Sequence, residues 1–280
     1  MKQEKIDEVI LSALYEDIQG GDITTNAVAV CYKSAKADFL VKQKGVIAGL
    51  DICSRVFELT DKNLSYQVKI GDGSYVETGL IVATVEGNGA SILTAERTAL
   101  NFLQRMSGIA TLANLYTQKV KHTKAKILDT RKTVPCLRYF DKLAVRLGGA
   151  ENHRFGLYDM FLIKDNHIEI AGSITEAVRL CRDYQNKIKS SFRMEVEVKN
   201  LIETEEALRC GVEIIMIDNF SVELMKKAVN LVNGRCKIEA SGGITLDNLS
   251  EVAETGVDYI SAGALTHSVK GLDISLLIRS

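Results

Sequence analysis

The sequence predicts an α/β chain built as a β/α barrel, closed or nearly so, preceded by a separate small α/β domain. Three observations predict it. The second half repeats short apolar, β-branched runs that each end abruptly in polar residues or glycine: "AKILDTRK", "DMFLIKDNH", "FRMEVEVKN", "EIIMIDNF", "KIEASGG" and "DYISAGALT". Such runs are buried parallel strands. Helical stretches such as "ITEAVRLCRDYQNKI" and "SVELMKKAVNLV" separate most of them, and strand alternating with helix winds into a right-handed β/α array. No G-x-G-x-x-G follows a strand to argue for a doubly wound sheet instead. The first hundred or so residues lack this alternation, which sets them apart as a second domain.

From the N-terminus, "MKQEKIDEVILSALYEDI" carries apolar residues at 6, 9, 10, 13 and 14, the spacing of an amphipathic helix interrupted by charges rather than of a signal peptide. "AKADFLVKQKGVIAGL" and "LSYQVKIGDGSYVETGLIVATVEG" predict short strands punctuated by glycine turns. In "TAERTALNFLQRMSGIATLANLY", Ala99, Phe102, Leu103, Met106, Ala110 and Ala113 share one face of a long helix joining the two parts. Pro135, the only proline, is placed to start a helix over "CLRYFDKLAVRL" that stops at Gly148. The domains are therefore expected at 1–110, including part of the linking helix and a possible return of the chain's C-terminal end, and at 111–280.

Composition bounds the function. With 280 residues, 46% hydrophobic and 25% charged, the chain is long and apolar enough for a sizeable core. Its 35 basic residues balance 36 acidic ones, so no global field draws nucleic acid or an anionic membrane, and neither is expected as a partner. The six cysteines include no C-x-x-C pair, and the four histidines show no metal-ligand spacing. They are expected to be reduced thiols in a soluble, cytoplasmic protein. No apolar run approaches transmembrane length.

Against that neutral background, "DTRKTVPCLRYF" places Arg131, Lys132 and Arg138 close together. Active sites of β/α barrels lie at the C-terminal ends of the strands. The strand-end residues are Asp129, Arg131 and Lys132; then Lys164, Asp165 and His167; then Glu195 and Glu197; then Asp218 and Asn219; then Ser241, Gly242 and Gly243; and lastly Gly263 and Thr266. Lys164 interrupts an apolar run, where an unpaired ammonium is costly to desolvate, so it is expected to meet an anion: Asp165, a neighbouring carboxylate, or a ligand. Arg131 and Lys132 can both turn into the mouth once their strand has ended, whereas Arg138 lies on the following helix. His153 and Arg154 sit in a glycine-flanked connection that can reach a site. Glu195 and Glu197 share a face, toward the barrel interior if Val196 and Val198 pack outward. "ASGGITLDN" and "SAGALTHS" end late strands in small residues that let backbone N–H groups approach a phosphate. The set points to a ligand with several negative groups, one of them a phosphate, and to a place for a divalent cation or a sugar hydroxyl.

In this order and spacing, "EDIQGGDITT", "ERTALNFLQRMSGIAT", "DTRKTVPCLR", "GGAENHRFGLYDMFLIKDNH", "EVEV", "IDNF", "ASGGIT" and "GALTHS" resemble the quinolinate phosphoribosyltransferase family over nearly the whole chain. The resemblance implies an open-sided β/α barrel with an N-terminal α/β sandwich, in a homodimer where one subunit's small domain covers the partner's barrel. It implies that quinolinate and 5-phosphoribosyl 1-pyrophosphate, with Mg²⁺, give nicotinate mononucleotide, pyrophosphate and carbon dioxide. Carried over, Arg131, Lys132, His153, Arg154 and Lys164 would bind the substrates, with Arg97 reaching the dicarboxylate from the other subunit. Glu197 and Asp218 would lie near the ribose and Mg²⁺, and Ser241, Gly242, Gly243 and Gly263 would hold the 5-phosphate. Lys132 or Lys164 would deliver the proton that follows decarboxylation.

Cys136 and Ala150 depart from the family pattern, standing where glycine is usual; Cys136 is small enough to fill the start of a helix. Four rivals remain in view. A paralogue associated with molybdenum-transport operons tends to lack the lysine of "LIKDNH". The non-decarboxylating nicotinate phosphoribosyltransferases need fewer cations. A non-catalytic phosphate-binding barrel would have shed some of the charged set. A Schiff-base aldolase would use Lys164 as its nucleophile.

Overall fold

The computed structural model describes residues 2–28 and 33–279; Cys31 therefore lies outside the described residues. Two compact units emerge, one of Met1–Asn114, Val134–Gly149 and Ser268–Ser280, the other of Leu115–Thr133 and Ala150–His267.

In the first unit, helix α1 (Gln3–Ile18) buries Ile6, Ile10 and Leu14, the face its sequence spacing predicts. After α2 (Ile23–Val28) come β1 (Ser34–Val41), β2 (Gly45–Val46), α3 (Leu50–Thr60), β3 (Ser65–Val68), β4 (Tyr75–Val76) and β5 (Ile81–Asn88). A last strand, β12 (Ile274–Arg279), pairs antiparallel with β1 in register Phe39↔Leu276, giving the sheet order β12-β1-β5-β3. The C-terminal end thus completes the small domain's sheet. Phe39, Phe57 and Tyr66 pack with ring centroids 5.8–5.9 Å apart between sheet and α3, a geometry that adds roughly 0.5–1.5 kcal/mol per pair to the burial itself. The Arg55 guanidinium on α3 holds Asp7 on α1 through two hydrogen bonds of 2.9 and 2.7 Å.

The linking helix is present as α4 (Gly89–Val120), and Ala99, Leu103, Met106, Ala110 and Ala113 of its predicted face are wholly buried. Helix α5 (Arg138–Leu147) starts three residues later than Pro135 suggested. The reason is Cys136, whose φ of +66° is left-handed and cannot be part of a right-handed helix. A left-handed residue is the place glycine takes most easily, and Cys136 is exposed rather than a packed filler.

The second unit is the β/α array. Its strands are β6 (Lys126–Leu128), β7 (Phe161–Ile163), β8 (Met194–Val198), β9 (Ile214–Asp218), β10 (Lys237–Ser241) and β11 (Tyr259–Ser261). All six are parallel in the order β6-β11-β10-β9-β8-β7, so the last strand pairs with the first. Among the described residues β6 does not pair with β7; an isolated parallel bridge, Leu128↔Glu151, joins β6 to the segment between them, and the barrel is open on that side. Helices α6 (Asp165–Ala171), α7 (Ile174–Lys187), α8 (Leu201–Arg209), α9 (Val222–Val232), α10 (Leu249–Glu254) and α11 (Ala264–His267) follow the strands. Ser173, Asn200 and Ser221 cap α7, α8 and α9 by accepting the N–H of Glu176, Glu203 and Leu224, each contact stabilising its helix by about 1 kcal/mol. Val196 and Val198 are fully buried on the face opposite Glu195 and Glu197. Among the described residues no helix is long and apolar enough to cross a membrane.

Candidate active site

Because the six strands are parallel, their C-terminal ends converge at one end of the barrel. There they surround a cavity of about 490 Å³ lined by Arg131, Lys132, His153, Arg154, Lys164, Glu197, Asp218 and Ser241–Gly243, a volume typical of small-molecule sites.

The cationic side is built from β6 and the connection to β7. Asp129, at the end of β6 and wholly buried, accepts hydrogen bonds from the His153 backbone N–H at 2.8 Å and from Asn152 Nδ2 at 2.7 Å. This ties the loop to the strand and presents His153 and Arg154 to the cavity. Arg131 and Lys132 both reach the cavity, as expected of residues beyond the strand end. Thr266, one of the mouth candidates, is buried and donates to the Lys132 carbonyl at 2.9 Å, so it orients the lysine. Gly263 permits a close pass: a Cβ there would stand 3.1 Å from Lys132 Cδ. Arg154 Nη1 donates to the Met160 carbonyl at 3.2 Å. Burial, with the Arg131 cation beside it, pulls the Arg154 guanidinium below its usual range. The site already concentrates positive charge.

Lys164 requires a correction. Strand β7 ends at Ile163, so Lys164 does not interrupt a buried run; its side chain is 46% exposed. It does meet an anion, but the partner is Glu197 across the mouth at 3.1 Å, not Asp165. Asp165 instead pairs with Lys199 at 3.3 Å, and His167 Nδ1 accepts the Lys164 backbone N–H at 2.9 Å at the start of α6. Neither lines the cavity. Asp218 does line it, and Asn219 Nδ2 donates to Asp218 at 2.8 Å.

Deeper in the barrel, His153 Nε2 lies 2.9 Å from Glu195 Oε2 and 3.6 Å from Glu239 Oε2, with the histidine side chain 7% exposed and both glutamates at 0%. Burial pushes Glu195 up to about 7. Burial together with the negative charge of Glu195 pushes Glu239 up to about 8. The absence of metal-ligand spacing in the sequence thus hid a His/Glu/Glu cluster whose ligand atoms lie within 4.8 Å of one another. Glu239 is the residue that sequence reasoning passed over. Its signal was there: it stands two before Ser241 on one strand, hence on the same inward face.

The glycine loop after β10 is left-handed at Gly242 (φ +87°) and Gly243 (φ +63°), and both border the cavity with Ser241. Arg97, exposed on α4, and Arg138, half-buried at the start of α5, belong to the first unit. Ala150 is buried.

Comparison with known proteins names this arrangement. Residues 22–107 match the N-terminal domain of quinolinate phosphoribosyl transferase, and residues 109–277 match its C-terminal domain. The chain is 45% identical over 98% of its length to a probable nicotinate-nucleotide pyrophosphorylase [carboxylating] of Synechocystis sp., covering 92% of that protein. It is 45% identical to the chloroplastic nicotinate-nucleotide pyrophosphorylase [carboxylating] of Arabidopsis thaliana, with 96% of this chain and 82% of the relative covered. The crystal structure of NadC from Streptococcus pyogenes superposes with a TM-score of 0.94 at 41% identity, covering 100% of this chain and 99% of the other. On these matches, which span both domains, the chain belongs to the quinolinate phosphoribosyltransferase family, the carboxylating nicotinate-nucleotide pyrophosphorylases.

Proposed function

We propose that Arg131, Lys132, His153, Arg154 and Lys164 receive the anionic groups of quinolinate and 5-phosphoribosyl 1-pyrophosphate, and that Glu197 and Asp218 face the reacting ribose. The enzyme transfers the phosphoribosyl group to quinolinate with decarboxylation, the step of de novo NAD biosynthesis that yields nicotinate mononucleotide, pyrophosphate and carbon dioxide. One observation carries the assignment of roles: four side-chain cations and a histidine converge on one cavity with three carboxylates, Glu197, Asp218 and Glu239, and a glycine loop. A pair of unit charges about 4 Å apart interacts by ~1 kcal/mol in water but ~4 kcal/mol at an effective dielectric near 20. Cations gathered in a cavity therefore do for two anionic substrates what a net charge of −1 cannot.

The pyridine nitrogen attacks C1 of the ribose as the C1–O bond to pyrophosphate breaks, through an oxocarbenium-like state. The protein's part is positioning and charge, with Glu197 or Asp218 offsetting the positive charge that develops at C1. Ser241, Gly242, Gly243 and Gly263 hold the 5-phosphate by close backbone approach. As carbon dioxide leaves, the electron pair of the C2–carboxylate bond stays on C2, stabilised by the adjacent pyridinium nitrogen, and this carbanion is protonated by Lys132 or Lys164. The oxygen donors Glu197 and Asp218 suit a hard divalent cation. Mg²⁺ held there would neutralise charge on the leaving diphosphate.

The chain acts as a cytoplasmic homodimer, without nucleic-acid or membrane partners, in which Arg97 of one subunit serves the partner's dicarboxylate site; dimers can associate further. Release of labelled carbon dioxide from 2-carboxyl-labelled quinolinate tests the reaction, and is expected only with both phosphoribosyl pyrophosphate and Mg²⁺ present. Mixing inactive Arg97→Ala and Lys164→Ala subunits tests the dimer. About a quarter of the activity should return if Arg97 acts across the interface, because heterodimers then hold one intact site. No recovery in a mixture shown to exchange subunits means that Arg97 acts within its own chain or outside the site.

A further inference from the structure

His153 stands between the cavity and two carboxylates that solvent does not reach. Glu195 comes from β8 and Glu239 from β10, and both are at 0% exposure. His153 and Glu239 border the cavity while Glu195 does not, and of the three groups only the histidine has an N–H to give. Its Nε2 is 2.9 Å from Glu195 and 3.6 Å from Glu239, and its backbone is held from the other side by Asp129.

From this geometry we infer that Glu195 and Glu239 are positioning residues, fixing the His153 imidazole through Nε2 so that it meets a carboxylate of the bound pyridine dicarboxylate. The inference rests on the reading of His153 as a substrate-binding residue.

A purely architectural role explains the pair poorly. Two adjacent carboxylates without solvent are expensive to bury, and apolar side chains of similar size would stabilise the barrel more. Their neighbours along the strands, Val196, Ile238 and Ala240, are apolar and buried, so the strand context does not call for charge. The two carboxyls lean on each other, and Ser261 and His153 offset the cost of burying Glu239 only in part. What the pair does provide is one locked ring. An imidazole whose Nε2 is held by a carboxylate has a fixed rotamer; in the charged ring, which a substrate carboxylate favours, Nε2–H goes to Glu195 and Nδ1–H is left as the donor for the substrate. The cluster is less suited to a metal ion, because Arg154, Arg193 and Lys164 already act on Glu195 and would repel a further cation.

The test is a double-mutant cycle read in quinolinate KM, phosphoribosyl-pyrophosphate KM, kcat and Tm, using His153→Ala, Glu195→Ala and the double variant. Glu195→Ala is expected to raise quinolinate KM by about tenfold to a hundredfold, the size of comparable supporting-residue effects, with phosphoribosyl-pyrophosphate KM shifted far less. It should add little in the His153→Ala background, because a residue acting only through His153 has nothing left to position. Glu239→Gln, which keeps shape and a donor for Glu195, should raise quinolinate KM less than Glu239→Leu. Should Glu195→Ala fail to fold, Glu195→Gln replaces it in the same cycle. Effects that multiply in the double variant overturn the inference, as does a fall in Tm with both KM values unmoved. So does a stoichiometric metal ion in the purified wild type that is lost in Glu239→Gln. Unchanged quinolinate KM in His153→Ala strikes the substrate-binding reading itself, an outcome separate from these.

Discussion

At the rim of the cavity Lys164 meets Glu197 at 3.1 Å with 46% of the lysine side chain exposed, while at the floor His153 meets Glu195 at 2.9 Å with 7% and 0% exposed. Both set a basic side chain against a carboxylate of β8, yet their physics differs. Water screens the rim pair, which contributes at most about 1 kcal/mol to stability. It can open to let each partner turn to a substrate. The floor pair is desolvated, costly to break and unable to swing outward. A rim of loosely paired charges and a floor of locked ones suit a site that must admit two anions and still orient one of them.

The comparison breaks most visibly at Lys164. Lys164→Ala is expected to lower kcat/KM for quinolinate by about a hundredfold to a thousandfold, roughly 3–4 kcal/mol, the usual size for losing a charge that meets the reacting anions. Because the side chain is half exposed, Tm should move by no more than a degree or two. Steady-state kinetics beside a thermal melt check both halves. A stable variant with near-normal kcat/KM would return Lys164 to a surface ion pair, and a large fall in Tm would move it from rim to floor.

Much of this architecture is legible in the sequence, for local reasons. The strands of the second unit declare themselves because each is an apolar run cut short by polar or glycine residues, and the parallel order follows from the helices between them. Glu197 and Asp218 are legible because strand ends in such a barrel share one mouth. Other features are not local. That "ISLLIR" pairs with β1 in the register Phe39↔Leu276 depends on segments over 200 residues apart, and nothing within the hexapeptide states its partner. Glu239 in "KIEAS" shares the inward face of Ser241, but nothing in that strand states that Glu195 of β8 and His153 stand beside it. Lys164 looks buried because sequence cannot show that β7 stops at Ile163. Cys136 hides a left-handed backbone that only its φ reveals.

A second, smaller break tests the glycine loop of the rim. At Gly242 the backbone is left-handed, and a Cβ would stand 2.9 Å from the backbone nitrogen of Asn219 and press on that residue's side chain. The Asn219 N–H donates to the Ser241 carbonyl at 2.9 Å, so any shift disturbs the end of the β9–β10 pairing. Gly242→Ala should therefore cost about 2–3 kcal/mol, of which ~1–2 is the left-handed conformation alone. It should also raise the KM for phosphoribosyl pyrophosphate about tenfold while changing quinolinate KM less. A rise in quinolinate KM alone would detach this loop from the phosphate.

The floor can be sharpened by pH. Burial and Glu195 raise Glu239 from an ordinary 4.5 to about 8. Below pH 4.5 the group is protonated in both folded and unfolded chains and costs nothing extra. Between 4.5 and 8 the unfolded chain releases the proton while the folded chain keeps it, so stability falls as pH rises, and above 8 the loss levels off. Glu239→Gln removes this titration but retains the size of the side chain. Its Tm relative to wild type should accordingly climb from about pH 5 to pH 8 and then stay flat. Melting curves of the two proteins across that range decide it. A difference independent of pH would mean that Glu239 titrates as an ordinary carboxylate, and the floor would then be no more sequestered from water than the rim.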